Sequence, residues 1–316
     1  MLDQLSQMRM PLAGWVWTET RHIKFDTIFC PFTGRPFIPI MFKEQGKSVI
    51  TTDMLKTHYH ASHALIENGA SVLDPFDVDK LLEPNPDKIQ LMEGVCNAYG
   101  MAPEHGAWLD NVHKNIAKLD DAYKRSLAYV VCTRVIRYLS SFDDSTRFML
   151  PDEDLAGVFN YYVEYMNGRV FSNGRTCEAH NTDANKLAAS IDSEAMYFYV
   201  PSSIGFSRMD KERRLSEMFN RYCHESELDK YLSIEPNELG AAQDDIPNYL
   251  NTVESFLETA AHIPLWIISY NRAGVFKEDR IMSLIGKFKP DVKVFSKKVV
   301  HSSSEVLVEN LYIGKS

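Results

Sequence analysis

Two periods of apolar residues divide this 316-residue chain. Short runs of Ile, Val, Leu and Phe bounded by Gly, Pro or Asp lie toward both ends, and a long stretch between them has the three-to-four-residue spacing of helices. Phe25–Phe29 and Lys47–Thr51 read as buried strands around a Pro/Gly-containing loop, Cys30–Pro36, and the second run stops at Asp53. Met54–Asn68 then has helical spacing. From Asp74 to about Gly168 every patterned segment is helical: within Asn111–Ser140, Val112, Ile116, Leu119, Tyr123, Leu127, Val130, Val131, Val135 and Leu139 recur at helical spacing, and Pro151-Asp152-Glu153-Asp154 opens a helix over Leu155–Met166.

Strand runs return at Ala195–Val200, Leu265–Tyr270, Val292–Phe295 and Val306–Val308. Helical patterns at Lys211–His224, Tyr249–Ala261 and Lys277–Phe288 separate them, except that the last two flank only polar His301-Ser302-Ser303-Ser304, as in a hairpin. The acidic run Glu225–Asp245 reads as a long loop, either a partner-docking or a mobile segment. The order predicts an α/β sheet formed by 1–73 and 169–316, with 74–168 as a helical insertion.

Composition narrows this little: 45% hydrophobic and 24% charged residues suit an ordinary globular protein. No run of 18 apolar residues suggests a membrane span, and Met1-Leu2-Asp3-Gln4 does not open a secretory signal, so a cytoplasmic protein is expected. Cys30, Cys96, Cys132, Cys177 and Cys223 form no Cys-x-x-Cys pair, which fits free thiols in a reducing compartment and no metal site. A formal charge of −9 opposes gripping DNA unaided.

Several segments carry a resemblance. Phe25-Asp26-Thr27-Ile28-Phe29-Cys30-Pro31-Phe32-Thr33-Gly34-Arg35-Pro36 looks like an Asp-Pro-Phe-Ala-Gly-Ser-Gly loop, and Gly46–Asp53 like the strand after it with its terminal acid. Asn181-Thr182-Asp183-Ala184 and Met196-Tyr197-Phe198-Tyr199-Val200-Pro201-Ser202 are similar to the segments leading into an Asp-Pro-Pro-Tyr motif. In this order they resemble the DNA adenine-N6 methyltransferases whose cofactor motif precedes target recognition and then catalysis. That resemblance implies a Rossmann-like S-adenosylmethionine-dependent methyltransferase fold, a mixed seven-stranded sheet closed by a hairpin. It implies a cofactor site at Pro31, Phe32, Gly34, Asp53 and Asp183, with Asp53 on the ribose and Asp183 near adenine.

The departures matter as much as the matches. Cys30 replaces the loop's acid, and Arg35 and Pro36 replace its last small residues, filling space where backbone must approach a ligand. Tyr199 stands at the catalytic acid, Val200 and Pro201 at the prolines, and Ser202 at the stacking ring. Transfer to N6 needs an acceptor beside the amino group and an aromatic face for the everted base. The expectation is a non-catalytic DNA-binding or scaffolding subunit, acting with a protein partner and not binding S-adenosylmethionine. The rival is an active adenine-N6 enzyme with divergent motifs, and a cofactor sensor is a third reading.

Simpler roles stand beside these. Asp53 and Asp183 each precede helical patterns and could cap them. His58, His60 and His63 read as ordinary helix histidines. Lys114, Lys118, Lys124, Arg125, Arg134 and Arg137 are diluted by Asp110, Asp120 and Asp121, so they suit a solvated face. Arg208, Lys211, Arg213 and Arg214 are denser and form the DNA-contact candidate.

Overall fold

The computed structural model describes residues 9–86, 90–141, 155–200, 209, 211–233, 246–272, 274, 276–302 and 305–316. Its strands are β1 (Thr27–Pro31), β2 (Ser48–Thr52), β3 (Glu178–His180), β4 (Ala195–Tyr199), β5 (Leu265–Asn271), β6 (Asp291–Ser302) and β7 (Glu305–Lys315). The helices are α1 (Arg9–Thr20), α2 (Phe37–Glu44), α3 (Lys56–Ser62), α4 (Pro75–Leu82), α5 (Leu91–Ala98), α6 (Pro103–Ile116), α7 (Ala122–Ser140), α8 (Leu155–Asn167), α9 (Ala184–Ala188), α10 (Lys211–Arg221), α11 (Glu225–Ser233), α12 (Ile246–Thr259) and α13 (Glu278–Gly286).

All seven strands form one sheet in the order β3-β2-β1-β4-β5-β7-β6. The first five are parallel, and β7 runs antiparallel between β5 and β6. This is the expected Rossmann-like methyltransferase sheet with its terminal hairpin. Every residue of β4 and β5 is buried, which explains why they read as unbroken apolar runs rather than alternating ones. On one face Phe29, Met196, Phe198, Trp266, Ile268, Tyr270 and Tyr312 pack under Val253, Phe256 and Leu257 of α12 and Ile281, Leu284 and Ile285 of α13. Lys289 is fully buried there, donating to the Ala261 and Ile263 carbonyls at 2.9 and 2.8 Å and so closing the chain after α12.

Contacts divide the chain into two compact units: 1–54, 173–208 and 232–316, holding the sheet, and 55–172 with 209–231, which is helical. The helical unit takes in more than 74–168, because α3 and α10 both pack on α7. Buried carboxylates knit it together. Glu217 of α10, fully buried, accepts from the Lys56 and Thr57 amides at 2.9 and 3.0 Å and caps α3 from a distance in sequence. Asp110 of α6 does the same for α5, accepting from Met92 and Glu93 at 2.9 and 3.0 Å, while the Tyr222 hydroxyl donates to it at 2.6 Å. Gly106 sits where a Cβ would run into the backbone of Met92 and Glu93, so α5 and α6 meet backbone to backbone.

Two of the three helix histidines, His60 and His63, pack against the neighbouring helix. A π-helical turn, His63–Glu67, follows α3 and brings His63 beside His60. The Ser126 hydroxyl lies 3.0 Å from His60 Nδ1 and 2.8 Å from His63 Nδ1, and Tyr129 and Tyr123 stack on the two rings. Burial, then Lys56, His63 and His113, pushes His60 down to about 3. Burial and Lys56 push His113 down to about 4.

Several elements differ from the sequence reading. Glu225–Ser233 is a helix, not a loop: its acids occupy the first turn, where the helix dipole favours them, and Leu228 is fully buried. The rest of that acidic run, 234–245, and the Pro151–Asp154 helix start lie outside the described residues. The hairpin strands are longer than expected because charged positions sit within them; Lys297 pairs in register with Glu309. Lys293, Lys297 and Lys298 also blunt the open edge of β6.

Two stability effects follow from the helical unit. Gly106→Ala should lower its stability by about 1–3 kcal/mol, read as a lower urea midpoint by circular dichroism, since backbone cannot yield as a side chain would. Histidines held neutral stabilise fully above their unfolded value of 6.5 and lose that contribution as pH falls toward about 4 and 3. The urea midpoint should therefore decline below pH 6.5, less steeply in a His60→Asn, His113→Asn variant.

Candidate functional site

The sheet order reverses between β1 and β4, whose parallel neighbours lie on opposite sides, so their carboxyl ends open a crevice at a topological switch point. Both sequence-derived motifs arrive there. Pro31, Phe32, Thr33 and Arg35 from the loop after β1, with Tyr197 and Tyr199 of β4, line a cleft of about 270 Å³. Tyr199 is the last residue of β4 and 7% exposed; Val200 follows and is buried. Pro201, Ser202 and Arg208 lie outside the described residues.

The loop is held by the strand ends beside it. Thr33 donates through its amide to the Thr52 carbonyl at 3.2 Å and through its hydroxyl to the Cys30 carbonyl at 3.0 Å. Gly34 has φ +57°, which glycine adopts without strain, and its amide donates to the Asp53 carboxylate at 2.9 Å. Phe32 also has positive φ, +49°, costly for a bulky residue. That backbone turn places the Phe32 ring 5.7 Å from Phe198 and 5.3 Å from Phe256, so core packing offsets the strain.

Asp53 therefore does not cap α3. That helix begins at Lys56 after Leu55, with no side-chain cap of its own. Instead Asp53 ties β2 to the loop after β1, and its own amide donates to the His180 carbonyl at 3.2 Å. Asn181 extends the tie, donating to the Asp53 and Met54 carbonyls at 2.8 and 3.0 Å, and the Thr52 hydroxyl reaches the Thr182 carbonyl at 2.7 Å. Asp183 is the N-cap of α9 and accepts from the Asn185 and Lys186 amides. In this arrangement it is a capping residue, the simpler of its two sequence readings.

On the β4 side, the Tyr197 hydroxyl donates to Ser269 Oγ at 3.1 Å. Cys30, at the loop's leading acid position, is 1% exposed, and burial with Cys177 nearby pushes its thiol up, so it is no nucleophile. The crossing ties at Asn181 and Thr52 were not legible as such, because their acceptors are main-chain carbonyls about 130 residues away in sequence.

Lys211, Arg213 and Arg214 sit on α10, in the helical unit rather than the sheet unit. Lys211 is exposed. Arg214 is engaged within its own unit, 2.5 Å from Asp229 and 3.0 Å from Glu225, and these acids with the Tyr99 hydroxyl outweigh burial and hold the guanidinium firmly charged. Among the described residues no group of three His, Cys, Asp or Glu side chains could hold a metal ion. Asp53→Ala should cost about 1.5 kcal/mol, because the Gly34 amide loses a charged acceptor; Asp53→Asn, which keeps an acceptor, should cost less in the same urea titration.

No protein-family model matches the chain. Over 306 residues it is 24% identical to the Type II methyltransferase M2.HphI of Haemophilus parahaemolyticus, spanning 87% of this chain and 84% of that protein. A solved structure, magnesium protoporphyrin IX methyltransferase from Synechocystis PCC 6803, aligns with TM-score 0.36 and 8% identity over 99% of this chain and 81% of that one. Strand order and motif order agree with this likeness, which runs through most of a Type II methyltransferase.

Proposed function

We propose that this chain keeps the methyltransferase body without its transfer chemistry, and works as a DNA-binding or scaffolding subunit beside a catalytic protein partner. The observation that carries this reading is Tyr199 at the carboxyl end of β4, in the cleft, where the family's strand delivers its carboxylate. A phenol at that place has no negative charge at neutral pH to receive the proton of the exocyclic amine as positive charge develops on nitrogen. Removing one preorganised polar group of this kind costs about 3 kcal/mol, more than a hundredfold in rate. Ser202 offers no aromatic face to the base, which adds to that loss.

The cofactor side supports the same reading. The residues present do not suit S-adenosylmethionine as the family holds it. The acid that would accept from the ribose hydroxyls already accepts from Gly34, Arg35 and Pro36 replace the small residues of the turn, and Phe32 is folded onto Phe198. DNA contact belongs in this reading to Lys211 and Arg213, reinforced by the partner, since the chain's charge of −9 opposes binding alone. The rival, an active enzyme with a divergent centre, draws its support from the likeness to a Type II methyltransferase over most of both chains.

The test is methyl transfer by the purified chain from tritiated S-adenosylmethionine to adenine-containing duplex DNA. Incorporation should stay at the blank, and calorimetry with millimolar cofactor should give no binding heat. Incorporation that disappears on changing Tyr199 or Ser202 would establish the rival.

A further inference from the structure

Within the helical unit, α8 carries a face that the sheet's site does not use. Tyr161, Tyr165 and Arg169 follow one another at four-residue spacing and so line one side of α8 and its C-terminal end. Tyr161 is 64% and Tyr165 38% exposed, an uncommon pairing of large rings one turn apart on a protein surface. The Tyr161 and Tyr162 rings meet edge to face at 5.3 Å.

Guanidiniums layer this face. Arg169 lies 4.6 Å over the Tyr165 ring and donates to its hydroxyl at 2.6 Å, and Arg134 of α7 lies 5.7 Å from the same ring. Among the described residues neither Arg134 nor Arg169 has a carboxylate partner. Arg137, on the same helix as Arg134, is held 3.6 Å from Glu212. Burial, then the like charges of Arg137 and Arg169, lowers Arg134 from its usual value, as crowding of cations without an anion requires. Among the described residues these two guanidiniums meet rings rather than carboxylates, and the exposed Glu164 of the same helix pairs with neither.

We propose that the tyrosine–arginine face of α8 binds single-stranded nucleic acid, its rings stacking on unpaired bases and its guanidiniums pairing with the phosphodiester chain. Stacking holds a guanidinium by its flat face and leaves N–H groups at its edge for phosphate oxygens. Tyr161 supplies the uncovered aromatic surface, and any base can lie on it because every base has a π face. An acidic peptide would satisfy the arginines but gives the exposed rings nothing flat to meet. The inference stands on this face alone and holds whether or not the sheet's cleft transfers methyl groups.

Fluorescence anisotropy tests it with the full chain and a labelled oligothymidine of about fifteen nucleotides, a length that spans an ordinary single-strand site. A duplex of the same length and a polyglutamate peptide serve as competitors. The single strand should bind more tightly than the duplex. The Tyr161→Ala, Tyr165→Ala variant should bind it at least roughly tenfold more weakly, as expected for losing base stacking. Phe76→Ala, which removes an exposed ring from α4, should change nothing. The Arg134→Gln, Arg169→Gln variant should flatten the log affinity against log salt slope by about 1.4, or about 0.7 for each phosphate no longer neutralised. Circular dichroism confirms that each variant is folded. Tightest binding to the duplex, displacement by polyglutamate as effective as by unlabelled strand, or unchanged affinity in the double tyrosine variant would each overturn the proposal.

Discussion

β1 and β4 pair in parallel over only a short register, Ile28 with Ala195 and Phe29 with Met196, yet the site depends on that pairing. It joins segments nearly 170 residues apart in sequence, and β1's other neighbour is β2, on the opposite side. Chains leaving β1 and β4 must therefore part, and the loop Cys30–Arg35 comes to face Tyr199. The buried apolar content of both strands enforces the register, because a slip of one residue would turn Phe29, Met196 and Phe198 away from the core they fill under α12.

Around that crevice, polar and aromatic side chains engage the protein's own backbone and core. The Asp53 carboxylate answers the Gly34 amide, Asp183 answers the first amides of α9, and the Phe32 ring fills space beside Phe198. Each choice satisfies a buried donor or an apolar surface that would otherwise be costly. The helical unit follows the same logic. Its buried acids Glu217 and Asp110 close helix N-termini that begin without caps of their own. His60 and His63 are stacked packing residues whose burial disfavours the charged form. Arg134 and Arg169 are the contrast, layered on Tyr165 and, among the described residues, paired with no carboxylate.

Much of the fold was legible because strands buried on both faces leave continuous Ile/Val/Leu/Phe runs, and β1, β2, β4 and β5 are such strands. β3 was not: three residues at the sheet's edge, Glu178-Ala179-His180, carry no pattern, and only pairing with β2 makes them a strand. α11 was hidden because its acids resemble a solvated loop until Arg214 is set against Glu225 and Asp229. The positions of the candidate site were legible from motif order. What their side chains do there was not, since Asp53 reads equally as a helix cap or a ribose ligand until its partner is known.

By itself, then, the chain's one-dimensional pattern determined the α/β class, the place of the helical stretch, and the position of Tyr199 at the end of a buried strand. Those are properties of local spacing and residue identity, which period and composition encode directly. Tertiary structure alone decided who satisfies whom: Asp53 with Gly34, Glu217 with Lys56 and Thr57, Arg169 over Tyr165. Hydrogen bonds and ring contacts act over a few ångströms, and only the folded chain brings their two ends that close.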